Sequence, residues 1–371
     1  MKRTGTAELP LHYGTCPPWL FQRMVRLSRS ITEAIVMECG TAEFLRRMAD
    51  PFFFQSLGCA VGFDFHSSGL TTTLTGALKE ALRPEELGLA VCGGKGKVSK
   101  SVPQEIQRLA DVFSFTTAKT EKLKYVSRMA AKVDNACVQD GYQLYHHAFL
   151  VDEDGNWAVV QQGMNESLAR RYHWLSEGVH SFVEEPHSGI IGERAEEIAL
   201  DMTAKESEEV RKASVDLVRD GPKKIISEVR GVGQRSLDEY FGEPRVRKLI
   251  MPREHTITAL PKQTIVALQR AYEIQPESYE ELIAISGIGP RAVRALALVS
   301  ALIYGKPPSW RDPIRYSFAH GGKDGVPYPV DRETYRKTTE ILEAAIEGAK
   351  LGRDEKLKAI RRLHEFVAED I

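Results

Sequence analysis

Long apolar runs are missing from this chain. Nowhere in its 371 residues does an apolar stretch reach the roughly 20 residues that a spanning helix needs, and the N-terminus lacks an apolar signal core. These absences predict a soluble intracellular protein without a membrane partner, cytoplasmic and, if bound to DNA, nucleoid-associated. Cysteine is scarce, with five residues: Cys16, Cys39, Cys59, Cys92 and Cys137. An odd number without a CxxC pair argues against a disulfide framework or a zinc knuckle and fits reduced structural thiols. Excess charge is missing too. A net charge of −1 means that any nucleic-acid surface is a local patch and not a global basic field. The glycine-rich run Cys92–Lys100 lacks the GxxxxGK[ST] spacing, so it is not a Walker A loop.

What the chain does have is concentrated in one segment. Residues 282–296 read Leu-Ile-Ala-Ile-Ser-Gly-Ile-Gly-Pro-Arg-Ala-Val-Arg-Ala-Leu. The pattern resembles the helix-hairpin-helix motif of DNA repair and replication proteins, over about residues 279–303. Gly287 and Gly289 would leave backbone N–H groups open to a phosphate. Ile288 would pin the turn from inside, and Pro290 suits the first position of the next helix. Arg291 and Arg294 would reinforce the partial positive charge of that helix start. No acidic residue falls between Gly287 and Arg311. Contacts of this kind touch the DNA backbone and not the bases, so the expected partner is DNA with little sequence preference. The plainer reading is a helical core element with glycines at an ordinary C-cap.

The length suggests two or three domains. Helical spacing covers 18–49, closed by Asp50-Pro51, and then 71–82, 103–112 and 119–133. Residues 142–151 and 157–164 are rich in aromatic and β-branched side chains, and Asp154-Gly155 between them predicts a hairpin. A two-residue turn there places His147 opposite Gln162 and His146 opposite Gly163; a longer loop would shift that register. From about Gly192 the strand signal disappears, and helical patterning covers 195–219, 264–274, 279–285, 291–303, 332–348 and 354–367. The expected fold class is α+β. A mixed N-terminal domain (1–188) with a small antiparallel sheet precedes a mainly helical domain (189–371) that contains the hairpin motif.

Several segments could carry chemistry. Asp64-Phe-His-Ser-Ser-Gly69 opens a helix, and Ser67, Ser68 and Thr71 with the free N–H groups there form a phosphate-sized anion site or a routine N-cap. Asp64 and His66, two residues apart, would share a face of an extended stretch. Lys95 and Lys97 could hold phosphate or lie on a flexible basic turn. His147 paired with Gln162, joined by Asp134 or Asp140, is the most unusual polar cluster. Asp64, His66, His147 and Gln162 form the candidate catalytic set. A divalent ion, Mg or Mn, held near Asp64, His66, Asp134 and His147 would activate water there. No spacing among them is diagnostic of a metal, and a satisfied polar patch on a half-buried sheet explains them as well. Arg170–Trp174 interleaves cations with aromatics, as single-strand binders do, or forms a solvated loop.

Two resemblances complete the reading. Pro329-Val330-Asp331 resembles the end of the Gly/Pro-rich segment that carries the catalytic Asp in hairpin-containing base-excision glycosylases, although its gap from the hairpin is longer by about a helix. Arg291 stands where lyase-type members place a lysine, and a guanidinium cannot form a Schiff base. The segments Lys2–Thr6, Leu9–His12, Gly62–Gly69, Gly93–Lys97, Trp157–Met164 and His320–Asp324 together resemble an uncharacterised bacterial and archaeal family, domain of unknown function 763. That resemblance covers most of the chain and implies no established activity. The expected function is DNA processing or repair by a DNA-binding protein, with a metal-dependent phosphodiesterase or nuclease activity as the enzyme hypothesis. The alternatives are a non-catalytic DNA-binding or scaffold factor, a glycosylase using Asp331, and a small-molecule phosphate enzyme.

Overall fold

The computed structural model describes residues 16–63, 68–166, 168–192, 195–232, 260–314 and 332–369. Its strands are β1 (Leu89–Lys95), β2 (Val138–Gln139), β3 (Gln143–Asp152), β4 (Trp157–Met164), β5 (Ala169–Leu175), β6 (His187–Ile191) and β7 (Leu200–Asp201). Five of them form one sheet in the order β1-β3-β4-β5-β6, every neighbouring pair antiparallel, while β2 pairs with β7 separately. The helices are α1 (Pro18–Cys39), α2 (Thr41–Met48), α3 (Pro51–Val61), α4 (Ser68–Ala81), α5 (Pro84–Leu87), α6 (Val102–Val112) and α7 (Thr117–Ala136). They continue as α8 (Glu208–Asp220), α9 (Pro222–Val232), α10 (Lys262–Ile274), α11 (Tyr279–Ala284), α12 (Pro290–Tyr304), α13 (Arg332–Gly348) and α14 (Arg353–Glu369). The architecture is α+β, with an antiparallel sheet in the N-terminal part and a mainly helical C-terminal part.

Strand alternation sorts the sheet's side chains between two cores. Ala90, Cys92, Phe149, Val151, Trp157, Val159 and Trp174 pack with α6, α7 and the helices from α8 to α12. Leu89, Val91, Ala148, Leu150, Ala158 and Val160 pack with α1 to α4, α13 and α14. Each core therefore takes residues from both sides of the expected division at 188. Toward its other end the sheet becomes polar on both faces, and there His146, His147, Gln161, Gln162, Arg170, Arg171 and His173 are all buried. Buried polar groups must find partners, so this end of the sheet is where specific geometry is enforced.

The hairpin register differs from the two-residue expectation by one position. Asp152 N–H donates to Asn156 O and Gly155 N–H donates to Asp152 O, so Glu153-Asp154-Gly155 is a three-residue loop. Gly155 takes the left-handed conformation (φ 83°), as such loops require at their third position. The pairing becomes His147 with Gln161 and His146 with Gln162, with an irregularity between Leu144 and His146. A slip of one residue exchanges the faces of every side chain on the strand. Gln162 accordingly lies on the α4 face, away from His147.

Other boundaries differ for local reasons. Asp50-Pro51 follows the end of α2 at Met48, as expected, and at once opens another helix: Asp50 accepts the N–H groups of Phe52 (2.8 Å) and Phe53 (3.1 Å) and caps α3. The glycine run at 92–96 is not wholly a loop, because β1 carries Gly93 and Gly94 inside the sheet before a 3-10 turn over Gly96–Ser101. Arg170–Trp174 is not an exposed aromatic-basic surface but the interior of β5. The helix expected from 195 begins only at Glu208, after β7.

Candidate functional site

Helix α7 stands across the polar end of the sheet. Thr116 caps it by accepting Lys119 N–H at 3.2 Å. Its buried face bears Leu123, Ser127, Ala130 and Asp134 at spacings of three and four, so two polar groups sit on an otherwise apolar stripe. Buried hydroxyls inside helices usually bond back to the carbonyl one turn earlier. Ser56, Thr75 and Ser214 do so here, to Phe52 O, Thr71 O and Val210 O. Ser127 instead meets His147 Nε2 at 2.8 Å.

The hydrogen positions in this cluster follow from chemistry alone. The Asp134 carboxylate can only accept; it takes Trp174 Nε1–H at 3.0 Å, His187 Nε2–H and Gln161 Nε2–H. Gln161 thus turns its amide nitrogen to Asp134 and its oxygen to His147 Nδ1, 2.8 Å away. His147 Nδ1 must be the donor, which leaves Nε2 bare to accept the Ser127 hydroxyl proton. Burial pushes the His147 imidazole below its usual range, outweighing the opposing pull of the Gln161 bond and the Asp134 charge. A neutral imidazole with its basic nitrogen on a serine is the arrangement that general-base catalysis uses.

Ser127 and His147 are buried, 4% and 5% exposed, yet both border a cavity. This cavity, of about 400 Å³, is lined by Ser127, His147 and Gln161 together with the start of α6 and the 3-10 turn before it. Lys100, Lys124 and Arg128 also line it, against a single carboxylate, Glu121, which accepts from Lys124 Nζ at 2.7 Å. The cavity is therefore electropositive next to a nucleophile-base pair.

His146, one residue earlier, has a different environment. Its Nε2 meets Thr75 Oγ1 of α4 at 3.0 Å, its Nδ1 has no hydrogen-bond partner, and burial pulls the ring down to about 3. Gln162, also on that face, accepts from Thr71 and donates to Ser68 O at 2.8 Å and to Tyr145 Oη. These bonds fasten α4 to the sheet.

The second arrangement is the turn between α11 and α12. Gly287 is left-handed (φ 93°), and a Cβ there would lie 2.8 Å from Ala267 Cβ on α10. Ile288 is fully buried, whereas a Cβ on Gly289 would meet nothing within 4 Å. Lys132 Nζ donates to Ile285 O from behind the turn, and burial holds its ammonium down to about 8. Arg291 is exposed at the start of the 15-residue α12. Arg294 is 9% exposed, its Nε donating to Gln139 Oε1 at 2.9 Å, so it braces the turn against α7 and β2 rather than standing free at the surface.

The sequence-derived residues divide accordingly. Asp64, His66, Ser67 and Asp331 lie outside the described residues. Asp134 and His147 come together, bridged by Gln161, while Gln162, Ser68 and Thr71 form the bonds to α4. Lys95 and Lys97 are exposed at the end of β1 and the start of the 3-10 turn. Asp140 serves Arg170, which also forks onto Asp312. Arg171 rests 4.6 Å from the Phe54 ring and on Gln55, and burial pulls it down to about 9. No group of three or more His, Cys, Asp or Glu is placed to hold a metal ion among the described residues. Both ring nitrogens of His147 and both oxygens of Asp134 are engaged by protein partners, so this pair does not fit a divalent ion. Ser127 had one legible signal, its place on the apolar stripe of α7 seven residues before Asp134.

A family model described as "Protein of unknown function (DUF763)" matches residues 5–330. The chain belongs to that family. No curated protein and no solved structure gives a match. The DUF763 span takes in both the Ser127–His147 arrangement and the turn before α12, whereas α13 and α14 lie beyond it.

Proposed function

We propose that this protein binds DNA through the sugar–phosphate backbone, at the turn between α11 and α12, in DNA processing or repair. The observation that supports it is the open face of Gly289 at the start of α12, beside exposed Arg291. Peptide N–H groups at the beginning of a long helix attract anions, and no side chain stands between them and a phosphate. Gly287 and Ile288 hold the turn rigidly from behind, so little ordering is required on binding. Contacts of this type give strong salt dependence and little sequence preference.

A binding titration against duplex, single-stranded and forked DNA over a salt series tests this. Gly289→Val would place a branched side chain in the phosphate's approach and abolish measurable affinity. Arg291→Ala should weaken all sequences alike and flatten the salt slope by about one unit. Arg294→Ala should mainly lower stability, because its bond is internal. Unchanged affinity in Gly289→Val refutes the binding surface.

The second reading is that binding accompanies hydrolysis. What favours it is the pairing of Ser127 with a neutral, oriented His147 at the edge of an electropositive cavity. A scaffold factor would need none of these features.

A further inference from the structure

We propose that Ser127 and His147 are a metal-independent nucleophile and general base that cleave phosphodiesters in the adjoining cavity. The substrate class rests on the DNA-binding reading; the chemistry of the pair does not. Three observations carry it. First, the Asp134–Gln161 chain fixes the His147 tautomer, leaving Nε2 to take the Ser127 proton. Asparagine fills the same orienting place in some nucleophile–histidine systems, so a neutral amide suffices for the role. Second, Ser127 forgoes the internal helix bond that Ser56, Thr75 and Ser214 make and, unlike Thr71, which turns outward to an amide oxygen, it meets an imidazole nitrogen. Third, the cavity that reaches it is lined by Lys100 and Arg128, cations suited to the non-bridging oxygens of a phosphodiester.

The step balances without a cofactor. Ser127 Oγ bonds to phosphorus as His147 Nε2 takes its proton. The bond from phosphorus to the leaving ester oxygen breaks, and His147 returns the proton to that oxygen, releasing an alcohol. Water then gives a proton to His147 and attacks the phosphoserine. The Ser127–phosphorus bond breaks, Ser127 recovers the proton, and a phosphomonoester departs. Net, one diester and one water yield one monoester and one alcohol. Asp134 and Gln161 are positioning residues in this scheme.

The experiment uses the full chain in EDTA with two probes that do not require DNA affinity. These are hydrolysis of bis(p-nitrophenyl) phosphate and labelling by a fluorophosphonate, with the modified residue mapped by mass spectrometry. The expected result is EDTA-resistant turnover with the label on Ser127. Ser127→Ala should lose about 100-fold or more of the turnover while keeping its near-UV circular dichroism and DNA affinity. His147→Asn should lose both labelling and turnover. Turnover and labelling without DNA affinity would uphold the site and refute the binding reading. DNA affinity with an unlabelled Ser127 and an intact diester would do the reverse. Turnover that persists in Ser127→Ala, or that EDTA abolishes, overturns the proposal.

Discussion

His146 and His147 are chain neighbours of the same chemistry on one strand and line the same cavity, yet their ring nitrogens meet different helices. His147 faces α7, has both ring nitrogens engaged, and borders a cavity lined by cations. His146 faces α4 and leaves one ring nitrogen without a partner. Gln161 and Gln162 repeat the contrast on β4, one orienting an imidazole and the other fastening a helix. Residue type thus says little about role here; the parity of the position in the sheet says nearly everything. What sets that parity is the loop at Glu153–Gly155.

The contrast can be broken outright at Gly93. Its φ is +86°, and a Cβ there would lie 2.2 Å from His147 O, backbone that cannot swing aside. Gly93→Ala should cost about 3 kcal/mol or more and lose the Ser127 label. Denaturant midpoints read the first effect; a wild-type midpoint would show that β1 does not press on β3 at this point.

The paired substitutions Gln161→Leu and Gln162→Leu sharpen the contrast. Each strands buried partners and should cost about 1–3 kcal/mol. Only Gln161→Leu should also slow Ser127 labelling and move its pH–rate profile, because only Gln161 fixes the His147 tautomer. Equal loss of labelling in both variants would mean that the two faces are functionally one.

Acid should reveal both histidines. The folded value of about 3 for His146 lies below the ~6.5 of a free imidazole, so the unfolded chain takes up the proton more readily. The stability that this neutral ring confers is complete above about pH 6.5 and falls from there toward pH 3, by about 1.4 kcal/mol per unit. His147, lowered in the same sense, steepens the fall. An NMR titration of the folded protein in which the His146 ring responds near pH 6 would contradict its burial. A smaller effect is expected at Gly155→Ala, which asks an L-residue to adopt φ 83° and should cost about 1 kcal/mol. The label on Ser127 should survive it.

The sequence makes much of this fold legible where local signals are strong. The hairpin strands, the α6 and α7 helices and the turn before α12 follow from alternation, caps and glycines. Three features hid the rest. In β1 and β5, Gly93-Gly94 and Arg170-Arg171 disguise strands, because tertiary pairing overrides weak local preference. The hairpin register turned on whether Gly155 is the second or the third loop residue, a choice that one dipeptide does not determine. Ser127 looked like any serine on an amphipathic helix, since the residues that give it meaning, Gln161 and His147, come from a different part of the chain.

The return of α13 and α14 to the first core has a consequence for biosynthesis. Arg362 of α14 donates to Ala60 O at the end of α3, 302 residues earlier, and Leu342, Ile346 and Leu363 fill the core begun by α1 to α4. Ribosomes add about 5–20 residues per second, so the nascent α1–α4 layer waits on the order of 15–60 s for its closing helices. During that interval its apolar surface is open to chaperones, and this core is closed only after α14 leaves the exit tunnel.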